Sequence, residues 1–250
     1  MPKKKVFPLI RYTIGNIYRS ISSPWAQYQF NVSDISNLFG CNFGLNGWHP
    51  IKETIKEFDL NNSINLEDTT LWKYHKNFEP KSISYFIDFD IDCDLPTFVY
   101  PWGTFNSGGI TSKKILSESR FCGPSTDKFI YEEYNQIIKL FKKLKLEGYR
   151  PKEFPNSYIG GTIMKAESGD MRFIVMQGNH RLSILSYLGI EKIDVRLISN
   201  AIHFVNESEI FSWPLVKNKT CSVKDARKIF NFFFYEKGDY IKTKVQDFSK

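Results

Sequence analysis

The sequence predicts a mixed α/β protein, more α+β than strictly alternating. Three observations carry this. Tyr158, Ile159 and the residues to Lys165, with Met171–Met176 and Ile193–Ile198, read as short strands. Ile130, Tyr134, Ile137, Ile138, Phe141 and Leu144 fall on one face of a 3.6-residue period. The resulting order, helix, strand, strand, helix, strand, fits within about 70 residues, with connections of ordinary length. A chain of 250 residues is long enough to bury a substantial core without staples.

Taken in order, Ile10, Ile14, Ile17 and Ile21 recur at helical spacing with Arg11 and Arg19 between them. That pattern suits a helix docked on its own core or, within residues 6–22, an interfacial membrane helix. Arg11 interrupts the apolar run a secretory signal requires, and no apolar stretch is long enough to span a bilayer. Residues 31–80 are turn-rich, with a short helix expected at Pro50–Phe58. Tyr85–Leu95 alternates: Tyr85, Ile87, Phe89, Ile91 and Cys93 against Asp88, Asp90, Asp92 and Asp94. This predicts a strand with one buried face. Its carboxylates are either a wet outer face or ligands for a hard cation such as Mg2+, with Asp88 and Asp90 the first candidates. Pro96 to Gly109 is a loop on its Gly and Pro content.

The helix that follows is bounded by chemistry as well as period. Ser125, Thr126 or Asp127 can cap it, lysines crowd its last turns, and Gly148 stops it. The strands Ser157–Lys165 and Met171–Met176 are joined by the turn Glu167-Ser168-Gly169-Asp170. Gly178 to Leu188 reads as a helix stopped by Gly189. In the tail, Ser222 and Asp225 resemble a capping box ahead of Val223, Ala226, Phe230 and Phe233.

The net charge is +7, unevenly spread. Residues 61–100 hold 3 basic and 7 acidic groups, whereas residues 101–250 hold 24 basic and 16 acidic. The excess suits an anionic ligand in the second part but lacks the dense basic stripe of a dedicated nucleic-acid binder. Cys41, Cys93, Cys122 and Cys221 form no CxxC pair, and His49, His75, His180 and His203 form no metal motif. The cysteines read as free thiols in a reducing compartment, with a cytoplasmic location expected.

Chemistry concentrates at Arg172–Arg181. A buried strand runs into Gln177-Gly178 and a helix starts near Asn179. Gly178 permits a sharp turn and close approach to the backbone. The first N–H groups of the helix carry the positive end of its dipole. His180 adds a switchable proton carrier and Arg181 a fixed fork of donors. Together they suit phosphate.

Phe173-Ile-Val-Met-Gln-Gly-Asn-His-Arg-Leu-Ser-Ile-Leu-Ser-Tyr-Leu-Gly189, ending in Ile193–Leu197, resembles the signature of the ParB N-terminal/sulfiredoxin-like superfamily. The upstream helix Phe129–Leu146 and Gly148-Tyr149-Arg150-Pro151 match that family's order, so the resemblance covers roughly residues 119–200. It implies a nucleotide-binding core there, an N-terminal elaboration over 1–118 and a helical extension over 201–250. It also implies a pocket for the phosphates of ATP, ADP or CTP, with Gln177, Gly178, Asn179, His180 and Arg181 as contacts. The Gly-Asn-His-Arg box has no Cys, as a sulfiredoxin would need, and no DNA-reading motif follows residue 200. Both departures favour a nucleotide-dependent phosphotransferase, a small-molecule or sugar kinase using ATP or ADP and Mg2+. A nucleic-acid-associated ParB-like protein and a non-catalytic nucleotide-binding scaffold are the alternatives. A kinase needs further donors and a carboxylate. Arg120, Ser125 and Arg150 are the candidate donors, with Glu132, Glu133 and Asp170 the candidate carboxylates. Glu133 joins His180 and Arg181 as the catalytic expectation.

Overall fold

The computed structural model describes residues 27–93, 95–104, 121–153, 158–199 and 201–247. The expected helix within residues 6–22, Arg120, Asp94 and the Gly-rich 105–109 lie outside them.

The fold is α/β, organised around a six-stranded mixed sheet. Its strands are β1 (Gln27–Asn31), β2 (Ile35–Ser36), β3 (Ile159–Lys165), β4 (Met171–Gln177), β5 (Lys192–Leu197) and β6 (Phe204–Asn206). The order is β1-β5-β3-β4-β2, with β6 also on β3. β3 is the hub. It runs antiparallel to β4, parallel to β5 over Ile159–Gly161, and parallel to β6 over Ile163–Lys165. Apolar layers pack against both of its faces, and Ile159 through Met164 are all buried. Gly161 is required there: a Cβ on it would sit 2.0 Å from the carbonyl oxygen of Ile174. β1 and β2 precede residue 119 and β6 follows residue 200, so the sheet is not confined to 119–200.

The helices are α1 (Pro50–Leu60), α2 (Thr70–Asn77), α3 (Asp127–Glu147), α4 (Asn179–Tyr187), α5 (Pro214–Lys217), α6 (Val223–Tyr235) and α7 (Asp239–Asp247). Alternate residues of the sheet feed two apolar bodies, as a period of two dictates. Ile159, Ile163, Phe173 and Val175 pack with Leu182 and Leu185 of α4. Met164, Ile174 and Val205 pack with the aromatic face of α6, including Phe230 and Phe233. A third body joins α1, α2, α3 and α4 through Ile55, Leu71, Ile137, Phe141 and Ile184.

The caps form where the sequence places them. The Thr126 hydroxyl accepts from Phe129 N–H and Gly148 closes α3 at φ 73°. Ser222 accepts from Asp225 N–H at the start of α6. Among the described helices, none is long and apolar enough to cross a membrane.

Two expectations are corrected. Tyr85–Leu95 is not a strand. It opens with a single 3-10 turn at Ile83–Tyr85 and continues as bends, with one isolated bridge between Ser82 and Pro96. Phe86 and Ile87 are both buried although adjacent, so the single buried face that the alternation implies is not what forms. Alternation supplies one buried face, but a strand also needs a ladder partner. Residues 31–80 are also more regular than expected. They carry α2 as well as α1, and α2 is started by the Thr69 hydroxyl accepting from Trp72 N–H.

Candidate functional site

The sequence order Gln177-Gly178-Asn179 builds the turn locally. β4 ends at Gln177, and Gly178 takes φ 92° and ψ 21°, a left-handed conformation that residues with a Cβ seldom adopt. α4 begins at the next residue. Gly178 has no side chain with which to cap it. The first amides of a helix have no acceptor within it, so those of Asn179 and His180 present donors at the positive end of the dipole. The buried Asn179 Oδ1 has no hydrogen-bond partner among the described residues.

His180 is the centre of the site. Its Nε2 lies 2.5 Å from Oε1 of Glu133, projected from the buried face of α3. Glu133 is 2% exposed and the His180 side chain 19%, so the pair joins the interior to the surface. With the carboxylate accepting, the proton is fixed on Nε2 and Nδ1 is left to take another. Arg181 is half-buried, and its charge pulls the Tyr149 phenol downward, although burial dominates and pushes it up to about 12.

Two further histidines converge on this pair. His75, on α2, is buried and its Nδ1 lies 3.2 Å from Ser125 Oγ. Burial pushes its pKa down to about 4; the Glu133 charge opposes that and the nearby His180 adds to it. His49 caps α1, its Nδ1 accepting from Ile51 N–H at 3.3 Å and lying 3.2 Å from Ser183 Oγ on α4. Burial, with His180 and Lys52 nearby, drives it to about 3. Both rings are therefore neutral at ordinary pH.

The structure thus brings His180, Glu133, Ser125 and the Gly178 turn into one neighbourhood, with Arg181 on the following position of α4. Gln177 is exposed at the strand end, its side-chain oxygen beside Gly160. Arg150 is not drawn in as a donor: it is exposed and pairs with Glu153 at 3.1 Å. Glu132 faces solvent, and Asp170 sits in the exposed β3–β4 turn, bonded to Ser168. Arg120 lies outside the described residues. Asp88 and Asp90 are exposed and belong to the C-terminal layer: Lys228 on α6 donates to the Asp90 carbonyl, and the Asp88 charge acts on Glu236. Among the described residues no group of three or more His, Cys, Asp or Glu side chains can hold a metal ion.

Sequence reasoning passed over His49 and His75 because they are 26 residues apart in the chain and far from His180. The one local signal was His49-Pro50, a helix start with proline at its first position. No family model matches the chain, and no curated protein does. The geometry around Gly178–Arg181 is what any functional reading must stand on.

Proposed function

We propose that the chain is a nucleotide-dependent phosphotransferase acting on a small-molecule acceptor, with ATP or ADP phosphates held at the Gly178–Arg181 turn. The observation that carries this reading is the buried Glu133 holding His180 at the first turn of α4. A left-handed glycine, a helix N-terminus and Arg181 suit phosphate oxygens. A carboxylate-oriented imidazole beside them suits a general base.

In the proposed reaction an acceptor hydroxyl attacks the terminal phosphorus and the bond to the bridging oxygen breaks. The hydroxyl proton passes to Nδ1 of His180 while Glu133 holds Nε2–H. Asn179 and His180 amides and Arg181 offset charge on the transferred group. Ser125, placed by His75, stands near the same centre. The described carboxylates do not form a protein-built Mg2+ cage, since Glu133 is already committed to His180. No step is therefore assigned to a protein-held metal.

The test separates binding from turnover. Wild-type protein should gain thermal stability with ATP or ADP. His180→Ala and Arg181→Ala should each weaken that binding by roughly tenfold or more, the scale of a lost hydrogen bond to a charged group. Glu133→Gln should bind nucleotide nearly normally yet transfer phosphoryl roughly 10²- to 10⁴-fold more slowly. No nucleotide response in the wild type would end the reading. Full turnover in Glu133→Gln would remove the base.

A further inference from the structure

The apolar body between the sheet and α6 holds all four thiols, none used by this chemistry, and two of them face each other. Cys93 lies within the aspartate-bearing segment, and Cys221 stands immediately before Ser222, the cap of α6. They are 128 residues apart in the chain, yet their sulfurs are in contact at 2.7 Å. Both are buried, at 6% and 2% exposure. Their backbones are anchored independently. The Cys93 carbonyl accepts from Leu95 N–H at 3.1 Å, and Cys221 N–H donates to the Leu215 carbonyl at 2.9 Å. Lys228 further ties the segment to α6 through the Asp90 carbonyl. Cysteine has a single side-chain torsion, and the two side chains occupy rotamers that bring the sulfurs together.

We propose that Cys93 and Cys221 are an intramolecular cross-linking site, oxidised to a disulfide by exchange with a small-molecule disulfide such as glutathione disulfide. One protein thiolate attacks a sulfur of the small disulfide, forming a mixed disulfide and releasing one thiolate. The second protein thiolate attacks the protein-bound sulfur and expels the other. Two protein sulfurs are oxidised and the two sulfurs of the reagent are reduced. The two thiol protons end on the released thiolates. The product fastens residues 86–93, which lack a strand ladder, to the C-terminal helical layer.

Burial raises both thiols above their ordinary range, and each is further affected by its neighbour. The attacking form is the thiolate, so exchange on the folded protein is slow and exchange during folding is fast. A cross-link over so long a loop restricts the unfolded chain strongly.

The experiment uses the full-length protein, unfolded in reductant and refolded with reduced and oxidised glutathione. Remaining thiols are alkylated under denaturing conditions and peptides are mapped by mass spectrometry without reduction. The expected result is one cross-linked peptide pair joining Cys93 to Cys221, with Cys41 and Cys122 alkylated. Tm should rise on the order of 10 °C over the same sample after dithiothreitol. Cys93→Ala and Cys221→Ala should each abolish that difference, their reduced Tm values serving as the control for folding. Four alkylated cysteines, a persistent glutathione adduct at Cys93 or Cys221, or a different pairing would overturn the proposal. The wild-type map decides even where a variant fails to fold.

Discussion

His180 and His49 both meet α4, one turn apart along it, yet their surroundings give them opposite roles. His180 is partly exposed, hydrogen-bonded to a buried carboxylate, and placed beside a helix start. His49 is 3% exposed, stacked on Phe43 at 4.5 Å between centroids, with Nδ1 used to cap α1. Asn37 presents an amide nitrogen rather than an oxygen to His49 Nε2, because its oxygen already accepts from Phe39 and Cys41 N–H groups. Nothing there stabilises a charged ring. A buried histidine is thus a packing residue unless an acceptor stands on one nitrogen and access on the other.

Acid should expose this difference most strongly. His49 and His75 have folded pKa values of about 3 and 4, below the usual 6.5. Between those values and 6.5 the unfolded chain binds more protons than the folded one. Stability contributed by the neutral rings is therefore complete above pH 6.5 and falls as pH drops through that window. Each histidine should remove about 1.4 kcal/mol per pH unit there, so several kcal/mol are lost by pH 4.5. Urea unfolding at stepped pH reads this directly. His49→Gln should flatten the acid limb, and an unchanged limb would mean that burial of this ring is not its source.

Truncation comes next in size. His49→Ala removes a helix cap and a fully packed ring, and should cost roughly 3 kcal/mol in urea unfolding. His180→Gln, which keeps an N–H donor for the buried Glu133 carboxylate, should cost under about 1 kcal/mol of stability, because the side chain is partly solvated. Equal losses in the two variants would erase the distinction. Gly178→Ala sits between them. It forces a Cβ into a left-handed turn, 3.1 Å from an Ile159 carbon, for about 1–2 kcal/mol.

How legible each region was follows from the same physics. The strand, Gly178 and α4 are consecutive in sequence, so period, glycine and dipole sufficed to place them. The caps at Thr126 and Ser222 are equally local. The expected strand over Tyr85–Leu95 failed because a ladder depends on a partner elsewhere in the chain, which alternation does not report. The sheet order likewise joins β1 to β5 across more than 150 residues, beyond any local signal. Glu133 was a candidate beside Glu132, and only the facing of α3 separates the buried member from the exposed one. The convergence of His49 and His75 depends on how four helices pack, and no spacing encodes it.

The smallest expected effect tests whether charge alone defines the site. Arg150 and Arg181 are both candidate phosphate donors by sequence, but Arg150 is exposed and already paired with Glu153 across one turn of chain. An exposed pair of that kind contributes well under about 1 kcal/mol, because water and salt screen it and holding two long side chains costs entropy. Arg150→Ala should leave stability within about 0.5 kcal/mol and nucleotide affinity within about twofold, measured by urea unfolding and calorimetric titration. If Arg150→Ala instead weakens nucleotide binding as much as Arg181→Ala, the loop at Tyr149–Glu153 closes onto the ligand. The anion site would then extend from the start of α4 across to the edge formed by β1 and β5, where Gln29, Lys192 and Asp194 line the same cleft as Arg150.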